Sequence, residues 1–225
     1  MKNNFSNIIK NKIKDFNINE KVEEIHRDLQ IFFDIELEEE PKIIYLNSRK
    51  ELDETYEKYS KEKPKDWVIA FVNDDGIFIV SYDKFEEISN GIHKKEEFLQ
   101  ILKHEFVHKY FREKAGTGFP NWLNEGLANY LSDKEKKKPS DEDLLDVFEF
   151  FNKGYNNSKV YSIGYFWTKY LIENFGKEKL LDLLTSIKNY QADNLKEEIF
   201  KEVFYKVYGF EYSKENFEKI LLNKK

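Results

Sequence analysis

Residues 96–131 read EEFLQILKHEFVHKYFREKAGTGFPNWLNEGLANYL, and their reading decides the fold. Phe98, Leu99, Leu102, Phe106, Val107 and Tyr110 recur at helical spacing, which predicts one apolar stripe along a helix running from Glu96 onward. The segment AGTGFP (115–120) breaks that helix, because glycine and proline both oppose its continuation, and a second helix is expected from Asn121. Within the first helix His104 and His108 stand four residues apart, so their imidazoles project from one face a single turn from each other. Two imidazoles so placed can meet one metal ion. Glu105 sits one step round the helix, close enough to act on a water at that ion without occupying a ligand position.

The chain contains no cysteine and four histidines, so disulfides and thiolate sites are excluded and any metal must be held by His and carboxylates. Glu125 is the expected third ligand. It follows His108 after sixteen intervening residues, enough for a helix end, a loop and a returning helix. Two imidazoles and one carboxylate leave a fourth zinc position open, the pattern of catalytic rather than structural sites. Asn129, at i+4 from Glu125, is expected on the same face, where it would accept a hydrogen bond from the far nitrogen of a liganding histidine. Its alternative is an ordinary solvated helix position. His26 and His93 have no companion ligands nearby and are expected at the surface.

Outward from this core the texture changes twice. Phe5, Ile8, Ile9, Ile13 and Phe16 form one helical pattern, and Val22, Ile25, Leu29 and Phe33 a second. KIIYLN (42–47), WVIAFV (67–72) and GIFIVS (76–81) are short, β-branched and aromatic, which predicts strands. Asn73-Asp74-Asp75-Gly76 predicts a tight turn joining the last two as an antiparallel hairpin. Residues 49–60 between the first two read as helix. After the charged loop 133–143, where Ser140 and Asp143 have capping-box spacing, helices are expected at 141–152, 160–175, 177–189, 194–207 and 213–222, with breaks near Gly154, Gly176 and Gly209. The run EKKK (135–138) is expected to be a solvated loop. Trp122, Leu123 and the Phe-rich stretches at 148–151 and 200–217 are expected in the core. The fold class is therefore α+β: one domain with a small, mainly antiparallel sheet, the two zinc-site helices and a mostly helical C-terminal part. Residues 1–40 form its helical N-terminal extension, 41–133 the sheet with the zinc helices, and 134–225 the helical remainder.

Composition limits the partners. Of the 225 residues 36% are charged, yet the net charge is only −6, so no concentrated basic face is expected and nucleic acid is not an expected partner. No run of eighteen apolar residues exists, so no transmembrane segment is expected. The N-terminus MKNNFSNIIKNKIKDF has neither a continuous apolar region nor a small-residue cleavage site, which leads to a cytoplasmic expectation.

HEFVH (104–108) followed by WLNEGLANYL (122–131) resembles the zinc-binding segments of the gluzincin metallopeptidases, particularly the aminopeptidase-N-like families. The resemblance spans about residues 76–185 and implies the thermolysin-like catalytic architecture. It implies zinc held by His104, His108 and Glu125, with Glu105 as general base in hydrolysis of a peptide or protein substrate. VYSIGYFWTKYLIENFG (160–176) resembles the Tyr-x-x-Gly helix of those enzymes, and the matching residue, Tyr161, would stabilise the oxyanion. Tyr165, one turn on, is the rival for that role. The chain departs from the aminopeptidases upstream: GIFIVS lacks the glutamate that engages a free amino terminus, which points to an endopeptidase. That strand is expected to pair with an extended peptide. Two other readings stand beside this one: a non-hydrolytic, zinc-stabilised helical binding module derived from a peptidase, and a metal-free helical interaction protein.

Overall fold

The computed structural model describes residues 18–134, 136–152, 157–190 and 196–223. Its first element, α1 (Ile18–Phe33), buries Ile18, Ile25, Leu29 and Phe33 at the predicted spacing. The helical pattern expected over Phe5–Phe16 lies outside the described residues. α1 packs on the back of the metal-motif helix, where Tyr110 Oη lies 2.6 Å from His26 Nδ1. His26 also tilts against the Phe106 ring at 6.1 Å, so it is half-buried rather than a surface residue. His93 likewise contacts the Trp67 carbonyl through Nε2 at 3.0 Å.

The sheet comprises β1 (Ile43–Leu46), β2 (Ala70–Asn73) and β3 (Gly76–Val80), in the order β1-β3-β2. β2 and β3 form the predicted antiparallel hairpin, with Asn73 opposite Gly76 and Asn73 Oδ1 accepting from Asp75 N at 2.8 Å. β1, however, runs parallel to β3, pairing Ile43 with Ile77 and Leu46 with Val80. The sheet is therefore mixed, not mainly antiparallel. After β1, α2 (Arg49–Ser60) leads into β2 rather than β3, and the hairpin then reverses the chain so that β3 lies between the two, antiparallel to β2 and parallel to β1. β2 also starts three residues later than the apolar run WVIAFV, which begins at Trp67. The Arg49 guanidinium explains part of this: it binds the carbonyls of Lys65, Asp66 and Val68, tying that stretch to α2. Every residue of β3 is buried, as suits a central strand.

A 3₁₀ turn (Tyr82–Lys84), the short α3 (Phe85–Ile88) and a second 3₁₀ turn (Lys95–Glu97) lead into α4 (Phe98–Ala115). α4 is buried on nearly every side, including Leu102, Phe106 and Tyr110 of the predicted stripe. The 115–120 segment, with a cis Phe119–Pro120 bond, turns the chain into α5 (Asn121–Leu131). α6 (Asp141–Leu144) gives way at once to a 3₁₀ helix over Leu145–Phe150, so the single helix expected at 141–152 does not form. A tertiary donor competes for one of its carbonyls: Trp167 Nε1 donates to Leu144 O at 2.8 Å, a group that an α-helical ladder would use. The break expected near Gly154 lies outside the described residues.

α7 (Lys159–Phe175), α8 (Lys177–Asn189), α9 (Glu197–Tyr208) and α10 (Lys214–Leu222) complete the chain close to the predicted boundaries. Their core is aromatic, as expected. Trp122 stacks on Tyr212 at 6.1 Å, and Phe200, Phe204 and Phe217 crowd the same ring. Each fully buried phenylalanine there contributes about 1.5–3 kcal/mol. α5 and α7 meet backbone to backbone. A Cβ on Gly164 would overlap the Trp122 carbonyl, and one on Gly126 the Gly164 carbonyl and Thr168 Oγ1. Only glycine permits that approach. No helix among the described residues is long and apolar enough to cross a membrane.

Candidate metal centre

α4 and α5 place His104, His108 and Glu125 together, and one ligand atom from each lies within 4.8 Å of the others. Glu125 Oε2 is 3.2 Å from His104 Nε2 and 3.7 Å from His108 Nε2. Atoms bound to one tetrahedral zinc-sized ion stand about 3.3 Å apart, given bond lengths of about 2.0–2.1 Å. The two separations bracket that value. All three side chains are buried, and the imidazole rings lie almost perpendicular, with centroids 4.7 Å apart.

Hydrogen bonding shows what the cluster wants. Asn124 Nδ2 donates to Gly118 O at 3.1 Å, which turns its Oδ1 toward His108 Nδ1, 2.7 Å away. An amide oxygen only accepts, so Nδ1 of His108 carries the hydrogen. In the neutral ring Nε2 then holds a lone pair, and that lone pair faces a carboxylate oxygen. Two acceptors aimed at each other are reconciled by a cation between them. Glu125 Oε2 is moreover buried without a hydrogen-bond partner among the described residues. The 3.2 Å approach of His104 thus brings two coordinating atoms together without hydrogen-bond alignment. The residues present can hold a metal ion.

The electrostatics agree. Burial pushes His104 down to about 4, so its imidazole is neutral and free to coordinate near neutrality. Burial alone would raise the Glu125 carboxyl, but His108 and His104 more than offset this and leave it below its ordinary value. Glu105 is buried beside them, and burial pushes it up to about 7, with the Glu125 charge adding to the rise.

Asn129 does not play the role expected of it. Its Nδ2 donates to Glu125 O within α5 at 2.7 Å, and Asn124 makes the histidine contact instead. In sequence Asn124 is merely the neighbour of Glu125, one step round the helix. Only the crossing of α5 over α4 brings its amide to His108. The available signal was a polar side chain in a helix turn flanked by Trp122 and Leu123, which must find a partner when buried. Asn124→Ala is expected to weaken metal affinity about 10–100-fold, as loss of an orienting partner does. Competition against a chromophoric chelator measures it. Asn129→Ala serves as comparison, and equal losses in both variants would sink the assignment.

Tyr161 is half-buried in the first turn of α7, with the Lys136 ammonium 5.9 Å from its ring centroid. Tyr165 packs against Tyr130 at 6.3 Å. Gly164 and Thr168 contact α5, and Tyr161 and Tyr165, one turn apart on α7, both lie toward that side. β3 cannot accept a peptide as expected, because β1 and β2 flank it on both edges. β2 is an edge strand and is joined to α4 where Lys109 Nζ donates to Asn73 O at 3.1 Å. Comparison with protein-family models, curated proteins and solved structures gives no match.

Proposed function

We propose that the chain is a zinc-dependent peptidase of gluzincin type, more an endopeptidase than an aminopeptidase. The observation that carries this is the buried meeting of two imidazole nitrogens and one carboxylate oxygen, with the Glu105 carboxyl alongside but outside the ligand set. A structural zinc site has no use for that extra carboxylate and closes its fourth position with a ligand. When bound, the ion supplies Lewis acidity toward water and a peptide carbonyl. The chain's residues do the rest. His104, His108 and Glu125 hold and orient the ion, and Asn124 fixes the His108 ring through Nδ1. Glu105 takes the proton of the attacking water on a carboxylate oxygen and returns it to the leaving amine. The Tyr161 hydroxyl donates toward the oxyanion as it forms. An extended substrate lies along β2, whose outer edge offers backbone groups for β-augmentation.

Elemental analysis tests the site, and cleavage of internally quenched peptides with both ends blocked tests the reaction. Wild type is expected to carry one zinc per chain, sharply reduced in His108→Ala and in Glu125→Ala. Retention of metal by both variants would exclude this ligand set. Metal without cleavage across a degenerate peptide mixture would favour the non-hydrolytic binding module.

A further inference from the structure

Between α2 and β2 the chain is held by its carbonyls. The consecutive ones from Lys65 to Val68 are each met by a side chain from another part of the fold. Arg49, on α2, donates to Lys65 O at 3.1 Å, Asp66 O at 3.0 Å and Val68 O at 3.2 Å. His93, ahead of the 3₁₀ turn that enters α4, meets the remaining one, with Nε2 3.0 Å from Trp67 O. A guanidinium stays charged across the physiological range, whereas histidine is the side chain whose charge changes between about pH 5 and 8. The Trp67 link is therefore the switchable one.

The His93 ring stands between two acceptors. Nε2 faces the Trp67 carbonyl, and Nδ1 lies 3.6 Å from Glu97 Oε2. A neutral imidazole carries one N–H, so it satisfies one acceptor and turns a lone pair toward the other. The imidazolium donates toward both. Glu97 is held in place, because the same Oε2 accepts from Lys94 N at 2.8 Å. The ring is held too: it packs against Phe85 at 6.3 Å, and the His93 N–H donates to Ser89 Oγ at 3.2 Å. The charged groups around it are Lys94, Lys95 and Glu97 on its own turn, and Glu86 on α3, which accepts from Lys95 N at 3.2 Å. Arg49, Lys65 and Asp66 lie across the Trp67 carbonyl. Among the described residues, Glu97 is the carboxylate within ion-pair distance of the ring.

We infer that His93 is a pH-sensitive latch on the segment that enters the edge strand β2. With the ring charged, Trp67 is tied to the start of α4 and Glu97 completes the link. With the ring neutral, either the Trp67 carbonyl or the Glu97 carboxylate faces a lone pair, and the link weakens. The latch is closed on the acid side of the histidine range and loosens as pH rises through it. The inference does not depend on the peptidase reading. Under that reading, the strand proposed to hold substrate would respond to pH through a group outside the proposed ligand set.

Amide hydrogen exchange, followed by mass spectrometry at matched metal loading, tests the latch. Protection over residues 65–73 is expressed relative to unstructured-chain rates, which removes the intrinsic effect of pH, and is compared with protection over α9. In wild type it is expected to rise about fivefold from pH 8 to pH 5.5, the gain of a charge-assisted over a neutral hydrogen bond. His93→Gln keeps an N–H for the Trp67 carbonyl but cannot titrate, so the rise is expected to vanish in a protein that circular dichroism shows to be folded. Glu97→Gln keeps the size and the acceptor for Lys94 N but removes the charge, so the rise is expected to shrink. No rise in wild type, or the same rise in His93→Gln, overturns the inference. A full rise in Glu97→Gln removes the second acceptor from the latch and overturns it as well. The readout needs no cleavage, so its failure leaves the peptidase reading to its own test.

Discussion

Under the proposed peptidase reading, Glu105→Gln is expected to lower peptide hydrolysis by about 10²–10⁴-fold, the usual worth of a positioned general base, while the protein keeps as much metal as wild type. Glutamine matches glutamate in size, so the buried site should pack unchanged. Glu105 is not among the three residues whose ligand atoms cluster, so the candidate ligands are spared. What disappears is a carboxyl that burial holds up to about 7, where a base can both take a proton and give it back near neutral pH. Initial rates on a quenched peptide, set beside elemental analysis of the same preparation, measure both halves. Near-wild-type turnover in a metal-loaded variant would remove Glu105 from the chemistry. Loss of metal would instead place it among the ligands.

The largest effect on stability is expected from Gly164→Ala, at roughly 3 kcal/mol or more, the upper end of overpacking costs. The added methyl would overlap the Trp122 carbonyl, and backbone on the facing helix has no rotamer through which to escape. α5 must then move off α7. It carries Trp122 of the aromatic core and Glu125 of the candidate metal site, so one displacement strikes both. A urea titration with matched metal loading measures the loss. Gly126→Ala probes the same contact from the other side, so the two costs are not expected to add. An unchanged midpoint in both variants would mean that the two helices do not meet as described.

Local chemistry made much of this legible. Helical spacing placed His104 beside His108, and turn chemistry placed the Asn73–Gly76 reversal. The positions that escaped depend on how elements cross. Asn124 is chosen over Asn129 by the angle of α5 on α4. The parallel pairing of β1 depends on β3, rather than β2, taking the place beside it. Lys136 sits inside a run of charge that looks solvated, yet its ammonium lies over the Tyr161 ring. The 141–152 helix failed where a distant indole claimed the Leu144 carbonyl, and no window of adjacent residues contains that donor.

The aromatic core around Trp122 and Tyr212, and the apolar side of α4 from Phe98 to Tyr110, contain none of the proposed ligands. In a zinc finger, by contrast, the ion is the core, and removing it unfolds the chain. Here the aromatic core is built without the ion. A chain that stays folded whether loaded or empty acts as a reversible receptor whose occupancy follows the free ion around it. Saturation at about a hundred times the dissociation constant would add only about 2.7 kcal/mol of stability. Under the proposed reading, hydrolysis would then rise and fall with the supply of metal while the amount of folded protein stayed constant, making the enzyme in effect a gauge of its own cofactor.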